Sequence, residues 1–190
     1  MSVRSFVAID LPDPVRRDVA SLRTRLGLER APLKWVDERN IHITVKFLGD
    51  VEDAAVPDVL ARLRTACAPE EPFDITLSGV GTFPPGRPPR VLWVGVTENA
   101  EIVKRLAAKI DKELAALGIE PEAKEFHPHV TLARVRDGAR PSPWPFRPDA
   151  GAPGPALRTR VAALALKASR LEPSGPVYST IGDVPLLGAS

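Results

Sequence analysis

Cysteine, histidine and net charge are all scarce in this chain, and each scarcity narrows what it can do. The one cysteine, Cys67, has no partner for an internal disulfide and falls in a helical pattern, where packing is its expected role. A formal charge of +2 over 190 residues is too small for a wide duplex-binding surface, yet it suits an enzyme that grips a single phosphate. No apolar run is long enough to span a bilayer, and Met1-Ser2-Val3-Arg4-Ser5-Phe6 lacks the apolar core of a signal peptide. A cytoplasmic protein without membrane contact is therefore expected. Neither a Gly-x-Gly-x-x-Gly nor a Walker pattern occurs, so a nucleotide cofactor has no visible seat. What remains, 44% apolar and 26% charged, reads as a globular chain forming a single domain of one lobe or two over 1–190.

The histidines number only three, and two of them share a pattern. His42-Ile43-Thr44-Val45 lies within Asn40-Ile41-His42-Ile43-Thr44-Val45-Lys46-Phe47-Leu48-Gly49. His129-Val130-Thr131-Leu132 lies within Phe126-His127-Pro128-His129-Val130-Thr131-Leu132-Ala133-Arg134. Both stretches have strand-like composition. Alternate strand residues share a face, so each motif offers an imidazole and a hydroxyl side by side, with its apolar residues turned to the core. The pattern is that of a site built twice.

Strands and helices alternate around the motifs. Phe6 to Ile9 reads as a first strand, and Asp13 as the cap of a helix with Pro14 at its first position and a stripe of Val15, Val19, Leu22 and Leu26. The first motif forms a strand closed by Gly49-Asp50, and a second helix runs from about Glu52 to Cys67. Phe73 to Val80 and Val91 to Val96 read as strands joined by a stiff, proline-rich link. A third helix starts at Asn99, carries Ile102, Leu106, Ile110, Leu114 and Leu117 on one face, and stops at Gly118. The second motif follows as a strand, then a six-proline loop from Pro141 to Pro155, then strands at Val161 to Leu166 and Val177 to Ile181. Hairpin-like strand pairs mixed with helices predict an α+β fold with antiparallel sheets.

Two His–Thr pairs suit one chemistry well. An imidazole holds or releases a proton near neutral pH, so one neutral and one charged histidine can divide base and acid work. Threonine hydroxyls can donate to the non-bridging oxygens of a phosphoryl group as charge builds there. In-line displacement at phosphorus needs a base behind the attacking oxygen and an acid behind the leaving one. No metal or other cofactor is required.

These residues resemble the 2H phosphoesterase superfamily, named for two His-x-Thr motifs, and within it the RNA 2′,3′-cyclic phosphodiesterases once called 2′-5′ RNA ligases. Phe6-Val7-Ala8-Ile9-Asp10-Leu11-Pro12 is similar to the family's opening strand. Lys34-Trp35-Val36 leads into its first motif, and Gly175-Pro176-Val177-Tyr178 is similar to its last hairpin. The chain departs from the family's frequent Glu-Ser before that hairpin, with Ala168-Ser169 in its place. The resemblance implies a bilobal α+β fold, two antiparallel sheets flanked by helices, and a central cleft on a pseudo-twofold axis. It also implies hydrolysis of an RNA-terminal 2′,3′-cyclic phosphate to a 2′-phosphate, without ATP; a monomer is expected. Carried over by motif, His42 is the proton donor and His129 the proton acceptor, with Thr44, Thr131 and Arg134 binding the phosphate. Strict strand parity turns Arg134 away from His129, so that last role demands a bulge, a strand end or a long reach.

Other readings remain open. A single His-x-Thr is ordinary for a strand, and His127 reads as peripheral. A metal site on His127 and His129 lacks a third ligand at fitting spacing. Trp35, Phe47 and Trp93 are candidates either for stacking on a base or for the core. Arg87 and Arg90 are either RNA contacts or solvated charge. A 2H enzyme acting on small cyclic nucleotides or ADP-ribose cyclic phosphate, and a non-catalytic RNA-end binder, are the alternative functions.

Overall fold

A computed structural model describes residues 1–84, 89–136, 156–173 and 175–188. The Pro141 to Pro155 loop and Arg87 lie outside the described residues. The chain runs β1 (Ser2–Asp10), α1 (Asp13–Arg25), β2 (Leu33–Trp35), β3 (His42–Glu52), α2 (Val56–Cys67), β4 (Phe73–Phe83), β5 (Val91–Glu98), α3 (Ala100–Ala115), β6 (His129–Val135), β7 (Leu157–Val161), β8 (Ala163–Glu172) and β9 (Gly175–Pro185). None of the described helices is long and apolar enough to cross a membrane.

The sheet order is β7-β4-β5-β6-β3-β1-β8-β9, with β2 added beside β6, and neighbouring strands are antiparallel. Four strands, β9-β8-β1-β3, form one half, and β6-β5-β4-β7 form the other in the matching order. The halves meet at one paired position, Ile43 of β3 opposite Val130 of β6. The two antiparallel sheets expected from the sequence are therefore joined edge to edge into a single curled sheet. Each half carries a strand–helix–strand unit, β1-α1-β3 or β5-α3-β6, so one motif strand follows each helix.

Helix α3 buries Val103, Leu106, Ala107, Ile110 and Leu114, packs against α2, and touches β3 of the opposite half. An ion pair secures that crossing: Lys46 of β3, with its side chain only 2% exposed, meets Asp111 of α3 and donates to the Glu120 carbonyl at 2.8 Å. Burying a lysine is tolerable only with such partners.

Local chemistry explains where the elements differ from expectation. The cap of α1 is Pro12, not Asp13; the Asp13 carboxylate bonds Arg16 one turn on and leaves the backbone alone. Asn99 does precede α3, but with φ 56° and no capping bond; its Nδ2 donates to the Asp74 carbonyl at 2.7 Å, tying the helix start to β4. Strand β3 does not stop at Gly49. That residue, at φ 73°, carries the chain past an unpaired Leu48, after which pairing with β1 resumes to Glu52. A short 3₁₀ turn, Asp53–Ala55, then delays α2 to Val56. The expected strand beginning at Val161 is two strands, because β7 ends there on β4 and β8 starts at Ala163 on β1. Strands β2 and β7 are too short for a period to mark them, and pairing with β6 and β4 makes them strands.

Candidate active site

Position 43 opposite 130 sets the geometry of the site. Both side chains are fully buried, so the flanking residues of each motif point to the other face. Antiparallel pairing then sets His42 beside Thr131, and Thr44 beside His129. All four line one cleft of about 670 Å³, which also receives Arg134.

Each imidazole is held the same way. His42 Nδ1 donates to the Asn40 carbonyl at 2.7 Å, and His129 Nδ1 donates to the His127 carbonyl at 2.6 Å. A carbonyl can only accept, so both rings carry their proton on Nδ1 and leave Nε2 for chemistry. His42 Nε2 lies 2.9 Å from Thr44 Oγ1. Burial pushes both imidazoles below their ordinary pKa, and the two carbonyls oppose that fall.

The fifth residue after each histidine reaches the cleft through a bulge. On β3 the register passes from Thr44↔Ala8 to Lys46↔Val7, leaving Val45 extra. On β6 it passes from Thr131↔Trp93 to Ala133↔Leu92, leaving Leu132 extra. One extra residue reverses the alternation downstream. Phe47 and Arg134 thereby join the histidine face, while Lys46 and Ala133 turn to the core. The bulge answers the parity objection to Arg134. The two equivalent positions differ in chemistry: one presents a guanidinium, the other a phenyl ring 60% exposed.

Surroundings break the symmetry further. The His42 ring packs against Phe6 at 5.0 Å and meets Tyr178 edge-on at 5.3 Å and 88°. Asp10 is its partner in register, and Lys167 Nζ grips both Asp10 oxygens at 2.7 and 2.8 Å. After burial and the Asn40 bond, Lys167 lowers the His42 pKa, Asp10 raises it, and His129 lowers it. His129 instead has Phe83 edge-on at 5.1 Å and Trp93 at 6.1 Å, and the charge on Arg134 lowers its pKa further.

Asn40 and Tyr178 were not singled out from the sequence. Asn40 Nδ2 donates to the Pro176 carbonyl at 2.8 Å, bridging 136 residues and fastening the β8–β9 hairpin beside the first motif. Its spacing before His42 repeats that of His127 before His129, a signal that was available. Tyr178 comes from the far end of the chain, where the sequence marks it only as part of the hairpin run Gly175-Pro176-Val177-Tyr178 and not as a neighbour of His42. His127 does sit at the edge, outside the cleft lining, and contributes its carbonyl. Trp35 lines the cleft under the Arg23 guanidinium. Trp93 is outside that lining and lies against Gly81 and Gly95, where a Cβ on Gly81 would overlap its ring. Arg90 is not a lining residue; its backbone bonds Phe83 and Val135.

Comparison with known proteins agrees with this duplicated design. The family model described as LigT like Phosphoesterase matches twice, over 9–93 and 94–178, so each match contains one His–Thr motif. A protein of Aeropyrum pernix named RNA 2′,3′-cyclic phosphodiesterase is 36% identical, covering 87% of this chain and 93% of its own. One of the same name from Methanothermobacter thermautotrophicus is 34% identical over 94% and 96%. A solved structure from Thermus thermophilus superposes with TM-score 0.81 at 32% identity, covering 97% of this chain and 98% of that one. E. coli LigT bound to 3′-AMP shares the fold, with TM-score 0.81 at 23% identity over 98% and 99%. With matches spanning both halves of its sheet, the chain belongs to the LigT like phosphoesterase family, the 2H phosphoesterases.

Proposed function

We propose that the protein hydrolyses RNA-terminal 2′,3′-cyclic phosphates to 2′-phosphates, with His42 as proton donor and His129 as proton acceptor. The observation that carries the reading is the pairing across the seam: two imidazoles anchored through Nδ1, each beside a threonine of the other strand, in one cleft. The curated relatives' name supplies the cyclic phosphate and the RNA.

In this scheme neutral His129 Nε2 takes a proton from water as its oxygen attacks phosphorus in line. The P–O3′ bond breaks, and the His42 imidazolium gives its Nε2 proton to O3′. The phosphate stays on O2′, and the two histidines exchange protons with solvent to reset. Thr44, Thr131 and Arg134 bind the non-bridging oxygens, where negative charge grows. Acid and base both come from the chain, so the reaction is proposed to be independent of metal. A 5′-hydroxyl in place of water would give a 2′-5′ linkage by the same steps. Each half contributes one His–Thr pair, which favours the whole bilobal chain acting as one domain. It is read as a monomer in the cytoplasm.

The test is turnover of an RNA oligomer ending in 2′,3′-cyclic phosphate, in EDTA and without ATP. Wild type should release a 2′-phosphate, and His42→Ala and His129→Ala should each lose about 10²-fold or more. A wild type inactive on this RNA, or variants as active as wild type, would remove the reading. Turnover confined to small cyclic nucleotides or ADP-ribose cyclic phosphate would reassign the substrate.

A further inference from the structure

The roles proposed above also fix where the rest of the RNA must lie, and the following argument rests on that reading. In-line attack puts water and O3′ on opposite sides of phosphorus. O3′ and O2′ belong to one ribose, so the sugar sits on the His42 side. The next phosphate of the chain hangs from the 5′ oxygen of that sugar, farther along the same wall.

That wall is built from β1, β8 and β9. Tyr178 is in register with Ser169, and Ser5 with Ala168; continuing the second register sets Arg4 opposite Ser169. Arg4, Ser169 and Tyr178 thus form one row across three strands, and all three line the cleft. Arg4 is exposed. Of the other cations nearby, Arg39 is held by Asp37 at 3.1 Å and Lys167 by Asp10 at 2.7 Å, while Lys34 lies on the opposite half, paired in register with Arg134. Arg4 has no carboxylate in ion-pair contact among the described residues. Asp50 stands opposite Arg4 in register on β3 without an ion-pair contact to it, and Glu172, which lines the cleft, stands at the hairpin tip, paired in register with Gly175. The charges of Arg4 and Arg134 both act on the Tyr178 phenol, against the upward push of burial, so both guanidinium groups are within electrostatic reach of that hydroxyl.

We propose that Arg4, with the Ser169 and Tyr178 hydroxyls, is a second phosphate seat, for the phosphate on the 5′ oxygen of the terminal nucleotide. It makes the enzyme selective for a polynucleotide end over a free cyclic nucleoside phosphate. Arg134 serves the reacting phosphate and Arg4 the one a sugar away.

The experiment compares adenosine 2′,3′-cyclic phosphate carrying either a 5′-hydroxyl or a 5′-methyl phosphodiester, which supplies the next phosphate without a second base. Wild type should show a kcat/KM at least about tenfold higher for the phosphodiester form, as expected of one charge-assisted hydrogen bond. Arg4→Gln should bring that ratio below about two, and Arg4→Lys should keep part of it, since only the bidentate geometry is lost. The wild-type preference should also weaken as salt rises. Equal turnover of the two compounds by wild type, or a ratio unchanged in Arg4→Gln, overturns the seat while leaving the phosphodiesterase reading intact. Turnover of neither overturns the seat, because the phosphodiester form carries the phosphate it is to bind, and the RNA oligomer assay above decides the phosphodiesterase reading separately.

Discussion

Replacing Arg134 by glutamine tests the bulge and the mechanism together. The guanidinium reaches the cleft because Leu132 is unpaired between Thr131↔Trp93 and Ala133↔Leu92. A hydrogen bond to a charged partner contributes about 1.5–3 kcal/mol, and about 1.4 kcal/mol is a tenfold change. Arg134→Gln should therefore lower kcat/KM on a cyclic-phosphate RNA end by roughly 10- to 150-fold. A second effect separates this loss from simple misfolding. The Arg134 charge lowers the His129 pKa, so its removal raises that pKa. A base must be neutral, so the acidic limb of the kcat/KM profile should move to higher pH in the variant. The wild-type limb should lie below the ordinary imidazole value of about 6.5, because burial depresses His129 in the free protein. The assay is kcat/KM against pH for both proteins, with circular dichroism as the control for folding. A variant within twofold of wild type, or an acidic limb that stays in place or moves down, would refute the reasoning.

Two further outcomes follow from the contacts around the motifs. Asn40→Ala removes the 2.8 Å bond to the Pro176 carbonyl while keeping the Asn40 carbonyl that holds His42. It should cost about 0.5–1.5 kcal/mol in urea unfolding and reduce kcat more than it raises KM, since Tyr178 is then free to leave the His42 ring. A pure KM effect would contradict that positioning role. Asp111→Ala strands the buried Lys46 ammonium and should destabilise the fold by about 3–5 kcal/mol, whereas Lys46→Met combined with Asp111→Leu should come close to wild type. A thermal midpoint unchanged in the single variant would show that the pair does not hold α3 on β3.

The sequence was enough to identify the duplicated motif and the strand–helix alternation, because those depend on local order. His42 with Thr44 and His129 with Thr131 share a face by the two-residue period of a strand, whatever the strand pairs with. The stripe of α3 likewise follows from spacing, and Leu106, Ile110 and Leu114 are buried as it requires. Strand ends were harder to read. Gly49 looks like a stop, yet pairing with β1 carries β3 through it to Glu52. Strands β2 and β7 exist only because β6 and β4 accept them.

Tertiary structure decided what lies opposite what. Nothing in either motif alone says that Ile43 faces Val130, and that one register puts two His–Thr pairs in a single cleft. The outward turns of Phe47 and Arg134 depend on an extra residue, Val45 or Leu132, that a neighbouring strand leaves unpaired. The unlike shells of two near-identical histidines come from chain far away: Lys167 and Tyr178 beside one, Phe83 and Trp93 beside the other. A strand's own sequence sets which side chains share its face. Its neighbours set the register, the bulges and the surroundings, and for this protein those decide how two copies of one motif come to differ.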